Sequence, residues 1–181
     1  MKKLNIAALS AAALMLSTTA FAGDGFTADQ AFKTMLTLEG TWTGTGYRVP
    51  VGQSKEGVAL TATPTTVSFK NIGNSSVMQT FAAGTAAEMV SMYHQNGKEE
   101  LIHTHYCVVG NQPSMTFAST GEQGVIDFQF THGTNMDVHV DGHAHNSNMR
   151  MIDEDTYETR SESWSGGKLA SVRYTTMKRV K

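Results

Sequence analysis

Hydrophobic and polar residues along this chain follow two periods, and the change from one to the other comes early. Ala31, Phe32, Met35 and Leu36 recur at helical spacing. Thr27-Ala28-Asp29-Gln30, just ahead of them, has the form of a capping box, with Gln three residues after a Thr cap. The spacing predicts one short helix from about Ala28 to Leu38, stopped at Gly40. Beyond it the helical period disappears. Short alternating segments rich in Val, Thr, Phe, Tyr and Met follow, punctuated by Gly and Asn. They predict strands at Thr41–Tyr47, Thr65–Asn71, Val77–Ala82, Glu88–His94, Glu99–Val108, Ser114–Ser119, Val125–Thr131, His143–Ile152, Thr156–Trp164 and Lys168–Val180. Asn96-Gly97 predicts a two-residue type I′ hairpin turn, and Gly166-Gly167 a second tight turn.

Many short, evenly spaced strands in sequential order predict an all-β fold. The expected form is a single antiparallel up-and-down barrel of about ten strands with a short N-terminal helix, closed so that no strand edge is exposed. A two-sheet sandwich is the alternative. The chain shows no internal repeat, low-complexity tract or linker.

The first 22 residues read as an export signal rather than as part of this fold. Met1-Lys2-Lys3 gives a positive start, Ile6 to Leu16 a short apolar run, and Ala20-Phe21-Ala22 a small-x-small cleavage site. The run is too short to span a bilayer. The expectation is a periplasmic or secreted protein whose mature form is one domain, Gly23 to Lys181. Removing Lys2 and Lys3 from 14 basic residues leaves 12 against 16 acidic, a net charge of −4. That balance argues against nucleic acid as the main partner, and no segment predicts stable membrane insertion. Cys107 is the single cysteine, so no disulfide can form within the chain.

The candidate chemistry lies in the histidines. His103-Thr104-His105-Tyr106-Cys107 and His143-Ala144-His145 each space their imidazoles two apart on predicted strands, which sends them to one face. Imidazole and thiolate are ligands for zinc and copper, so His105, His143, His145 and Cys107 are the candidate metal set. The duller readings are a core His105 whose ring nitrogens are satisfied by a backbone carbonyl and an amide, with Cys107 as a small hydrophobe, and an exposed strand end for His143 and His145. Met149 and Met151, in phase with His145, fit either copper or simple packing. Asn111, Gln112 and Asn135 are candidate ligand contacts, and equally the ordinary residues of turns. There is no Gly-x-Ser-x-Gly elbow and no His-Glu-x-x-His, so no catalytic set can be named.

Two resemblances bear on the fold. Gly40-Thr41-Trp42 after a short helix resembles the opening strand of the calycin superfamily of lipocalins and fatty-acid-binding proteins. The resemblance implies a Trp closing one end of the barrel, with a basic residue of the last strand, Arg179 or Arg173, lying across it. Thr104-His105-Tyr106-Cys107 followed by Gly110-Asn111-Gln112-Pro113 resembles the signature of an uncharacterised family of secreted bacterial calycin-like proteins. The chain departs from that pattern at His103, where an apolar residue is usual, and at Thr156 or Tyr157, where a His is usual. The resemblance implies a barrel and adds Trp42 and Tyr106 to the candidate ligand contacts; it implies no activity.

Three functional readings follow. One is a barrel holding zinc, copper or a metal-bearing ligand through His105, His143 and His145, with Cys107 as a fourth group. Another is a lipocalin-like carrier of a small apolar ligand. The third is an enzyme that uses the same histidines.

Overall fold

The computed structural model describes residues 25–59 and 61–181; the expected export signal lies outside them. The first element is helix α1 (Ala28–Leu36), opened by the capping box read from the sequence: Thr27 and Gln30 each accept from the other's backbone N–H. It ends two residues earlier than expected, where Thr37 caps it with its backbone N–H on Thr34 and Met35 carbonyls. Its apolar stripe, Ala28, Ala31, Phe32 and Met35, is buried.

Ten strands follow: β1 (Gly40–Pro50), β2 (Thr63–Ile72), β3 (Ser76–Phe81), β4 (Met89–Gln95), β5 (Leu101–Tyr106), β6 (Gln112–Phe117), β7 (Val125–Thr134), β8 (His143–Asp153), β9 (Thr156–Ser165) and β10 (Lys168–Arg179). Each pairs antiparallel with its neighbours in the chain, and β1 pairs with β10, so the sheet closes as an up-and-down barrel. All ten predicted strands are present, with ends shifted by a few residues.

Two local expectations are corrected. The turn at Asn96-Gly97 is longer than two residues: Gln95 pairs with Leu101, and Asn96 N–H donates to the Glu100 carbonyl. The Asn96 side chain also bonds Glu100, which favours the wider loop. A short helix, α2 (Lys55–Ala59), stands in the β1–β2 connection, where the Gly- and Ser-bearing run gave no helical period. Gly166-Gly167 is the expected tight turn, with φ of 61° and 70° between the paired Ser165 and Lys168.

The antiparallel order gives the barrel two unlike ends. Odd-numbered strands begin, and even-numbered strands finish, at the end beside α1. That end is plugged. Phe26 packs edge-on against Phe117, Trp42 meets Tyr157, and Tyr157 meets Phe69. Trp42 Nε1 donates to the Leu38 carbonyl, and Asn71 Nδ2 to that of Leu36. Burial continues up the interior through Val67, Val77, Leu101, Met115, Ile126 and Met177. The opposite end carries the polar residues of interest.

Candidate functional site

On β5 the alternation that buries Leu101 also turns His103 and His105 inward, while Tyr106 is exposed. Opposite them, β4 turns Ser91 and Tyr93 inward, with Ser91 paired to His105 and Tyr93 to His103. Ser91 Oγ lies 2.9 Å from His103 Nε2 and 3.0 Å from His105 Nδ1, so one buried hydroxyl joins both rings. His103 stacks on Tyr93 at 4.4 Å between centroids and meets the edge of Phe128, while His105 meets the edge of Phe81.

The direction of this relay follows from what is left over. His103 Nδ1 is buried without a partner. An orphaned N–H is the rarer defect in an interior, so the proton sits on Nε2 and Nδ1 is bare. His103 then donates to Ser91, Ser91 donates to His105 Nδ1, and His105 keeps its proton on Nε2. Burial holds His103 down at about 3, aided by its neighbour His105, and holds His105 down at about 4. Both are neutral at physiological pH.

On β8 the expected His-x-His pair is turned on itself. His143 Nδ1 lies 2.9 Å from the Asp141 carbonyl, which can only accept, so Nδ1 carries the proton. His143 Nε2 therefore accepts from His145 Nδ1, 3.1 Å away. In the neutral pair this leaves His145 Nε2 as a bare lone pair. The His145 ring is held between Phe130, stacked at 4.4 Å, and Trp164, stacked at 3.9 Å. Trp164 is fixed by donating Nε1 to Glu162, which also accepts from Asn146. Burial and the neighbouring His143 hold His145 below the usual histidine range, with Glu162 opposing. A register shift between Ala144 and Ser147 places an extra β8 residue here against β9.

The remaining candidates are placed as follows. Cys107 is a half-buried free thiol just past β5, with its Sγ 3.9 Å from Met89 Sδ. Asn111 is buried and ties its loop to the His143 approach by donating Nδ2 to the Gly142 carbonyl; its Oδ1 has no partner. Gln112 and Asn135 both donate to the Gly110 carbonyl, and Asn135 takes a φ of 54°. These bonds are the turn chemistry offered as the duller reading. Trp42 is wholly buried at the plugged end. The structure joins His103 with His105 and His143 with His145. Among the described residues no three of His, Cys, Asp and Glu form a group able to hold a metal ion.

Three further residues belong to the same end, two of which, Ser91 and Arg48, the sequence did not single out. Ser91 is one, and its signal was its phase with Tyr93 in Ser91-Met92-Tyr93. The others are Arg48 and Arg173, directly opposed across β1 and β10. They lie in phase with the buried Trp42 and Met177, and so on the inner face. Arg173, expected as one of two candidates to cover Trp42, does not do so; Arg179 does, at 4.3 Å.

No protein-family model matches the chain, and no curated protein matches it. Solved structures do share its fold. One is a protein of unknown function from the DUF3598 family of Nostoc punctiforme PCC 73102, with TM-score 0.54 and 15% identity, covering 81% of this chain. The chain spans about half, 48%, of that protein's length. Another is Rv2717c of M. tuberculosis, with TM-score 0.56 and 13% identity, covering 83% of this chain and 98% of that one. At these identities the likeness is one of fold.

Proposed function

We propose that this protein is an exported binding barrel that takes a small molecule at the end opposite helix α1. The observation that carries this is the asymmetry of the interior. One end is filled by Trp42, Phe69, Tyr157 and the helix, while farther along the interior Ser91, His103 and His105 turn polar groups inward. His105 offers an N–H and His145 a lone pair, each positioned by a neighbour that fixes its tautomer. A site with a few oriented polar groups among aromatic rings is the usual form of a small-molecule pocket.

The test is a fragment screen followed by backbone amide and histidine side-chain NMR. Shifts concentrated on Ser91, His105, His143, His145 and Trp164 support the reading. Ligands that perturb only the helix end, or no ligand at all, would overturn it.

A second reading is favoured by the bare His145 Nε2: a zinc or copper ion with that nitrogen as one ligand. Since His143 Nε2 is occupied by His145 Nδ1, the other coordination positions fall to water or to the bound molecule.

A further inference from the structure

The same end of the barrel contains an unusual arrangement of positive charge. Arg48 and Arg173 are directly opposed cross-strand partners in phase with the inner face, Arg48 exposed at the rim and Arg173 half-buried. Like charges in that relationship repel. Arg48 Nη1 donates to two hydroxyls, Ser163 Oγ at 2.6 Å and Ser171 Oγ at 2.9 Å, and to no carboxylate. Among the described residues Arg173 makes no hydrogen bond and no ion pair. The carboxylate nearest along β9, Glu162, belongs to Arg160 and to the opposite face of the strand. Gly46 makes room for Arg173: a Cβ there would stand 2.7 Å from Arg173 Nη2.

The surroundings are built from neutral donors. Ser161 is opposite Arg173, Ser163 opposite Ser171, and Thr159 opposite Thr175, all on the inner face. Ser163 and Ser171 each accept from Arg48, which leaves their own protons free to donate. Burial and the nearby Arg48 together weaken the hold of Arg173 on its proton, the expected sign for a guanidinium lacking a counter-charge. Ser163 pairs with Ala144, whereas His143 pairs with Trp164 on the alternate face, so this cluster stands apart from the histidine pair.

We propose that Arg48 and Arg173 form an oxyanion site, and that the small molecule bound at this end carries a carboxylate or phosphoryl group. This inference rests on the binding function proposed above. Two guanidinium forks around one oxyanion convert a repulsive pair into a bridged one, with two serine hydroxyls able to complete the shell.

The experiment is calorimetric titration with benzoate, its neutral isostere benzamide, and inorganic phosphate, on the wild type, Arg48→Met and Arg173→Met. Circular dichroism melting checks each fold. The expected result is benzoate binding at least about tenfold tighter than benzamide, with that preference lost in either variant. Phosphate binding that both variants abolish, with weak benzoate binding, also supports the site and assigns the head as phosphoryl. Relief of repulsion should leave the Arg173→Met melting temperature equal to or above wild type while binding falls, which a purely structural arginine would not do. Equal binding of benzoate and benzamide, unchanged by the variants, overturns the oxyanion site and leaves the binding function standing. Failure of all three ligands overturns the oxyanion site, and failure of the fragment screen as well overturns both.

Discussion

Arg179 lies across the indole of Trp42, its guanidinium carbon 4.3 Å from the ring centroid, and locks the plugged end of the barrel from the last strand. The same guanidinium donates to the backbone carbonyls of Glu39, Thr37 and Glu154 and pairs with Asp155. Four links therefore converge on one planar fork, which Lys cannot reproduce. Arg179→Met should destabilise the protein by about 2–4 kcal/mol, and Arg179→Lys by most of that amount. Urea unfolding followed by Trp fluorescence measures it; a loss below about 0.5 kcal/mol in both variants would show the contact to be incidental.

The buried histidines make stability depend on pH. In the unfolded chain both titrate near the ordinary value of 6.5, whereas in the fold they are held at about 3 and about 4. The unfolded state thus takes up protons first as pH falls. Stability is fully present above about pH 7 and declines through 6.5 toward the folded values, by up to about 1.4 kcal/mol per pH unit for each histidine. Urea midpoints between about pH 7.5 and 5 should fall accordingly, and His105→Phe should flatten the curve. A wild-type slope retained in both His103→Phe and His105→Phe would place the titration elsewhere.

Ser91 is the joint of that relay, fully buried between two rings. Ser91→Ala leaves a donor on His103 and an acceptor on His105 without partners, and should cost about 2–4 kcal/mol. Ser91→Cys, which keeps a weak donor of similar size, should recover part of the loss. Thermal melting of the three proteins is sufficient, and equal melting temperatures would mean the hydroxyl bonds contribute nothing.

Gly44 is required by close approach rather than by conformation. A Cβ there would fall on the Thr176 carbonyl of β10, which is backbone and cannot turn aside. Gly44→Ala should therefore open the β1–β10 seam and cost well over about 2 kcal/mol. Gly97, in an open turn at φ 69°, should lose only about 1 kcal/mol on change to Ala.

Alternation and turn residues made the barrel legible, since period-two burial and antiparallel closure are encoded locally along each strand. The α1 capping box was legible for the same reason. The site was legible only as a list. Period two placed His103 with His105 and His143 with His145, but it could not show that Ser91, fourteen residues from His105, would join the first pair. Nor could spacing show that His143 and His145 would bond each other instead of presenting two free nitrogens. Arg48 and Arg173 lie at opposite ends of the chain and become neighbours only on closure. The partners in each case are set by register, which no single segment contains.

The state of His145 is the sharpest consequence of that register. Its bare Nε2 depends on a chain that begins at the Asp141 carbonyl and passes through His143. His143→Phe removes the acceptor for His145 Nδ1 while keeping a ring tilted against Phe130. The His145 proton is then free to move to Nε2, and the lone pair no longer has a fixed direction. Histidine side-chain 15N spectra should show an unprotonated Nε2 at His145 in the wild type and a mixture of tautomers in the variant. Zinc or copper uptake through this nitrogen should weaken about 10- to 100-fold in His143→Phe and vanish in His143→Ala/His145→Ala. Uptake of either ion that survives the double substitution would move the metal reading away from β8 altogether. An identical tautomer in wild type and His143→Phe would instead show that the bond to His143 does not set it.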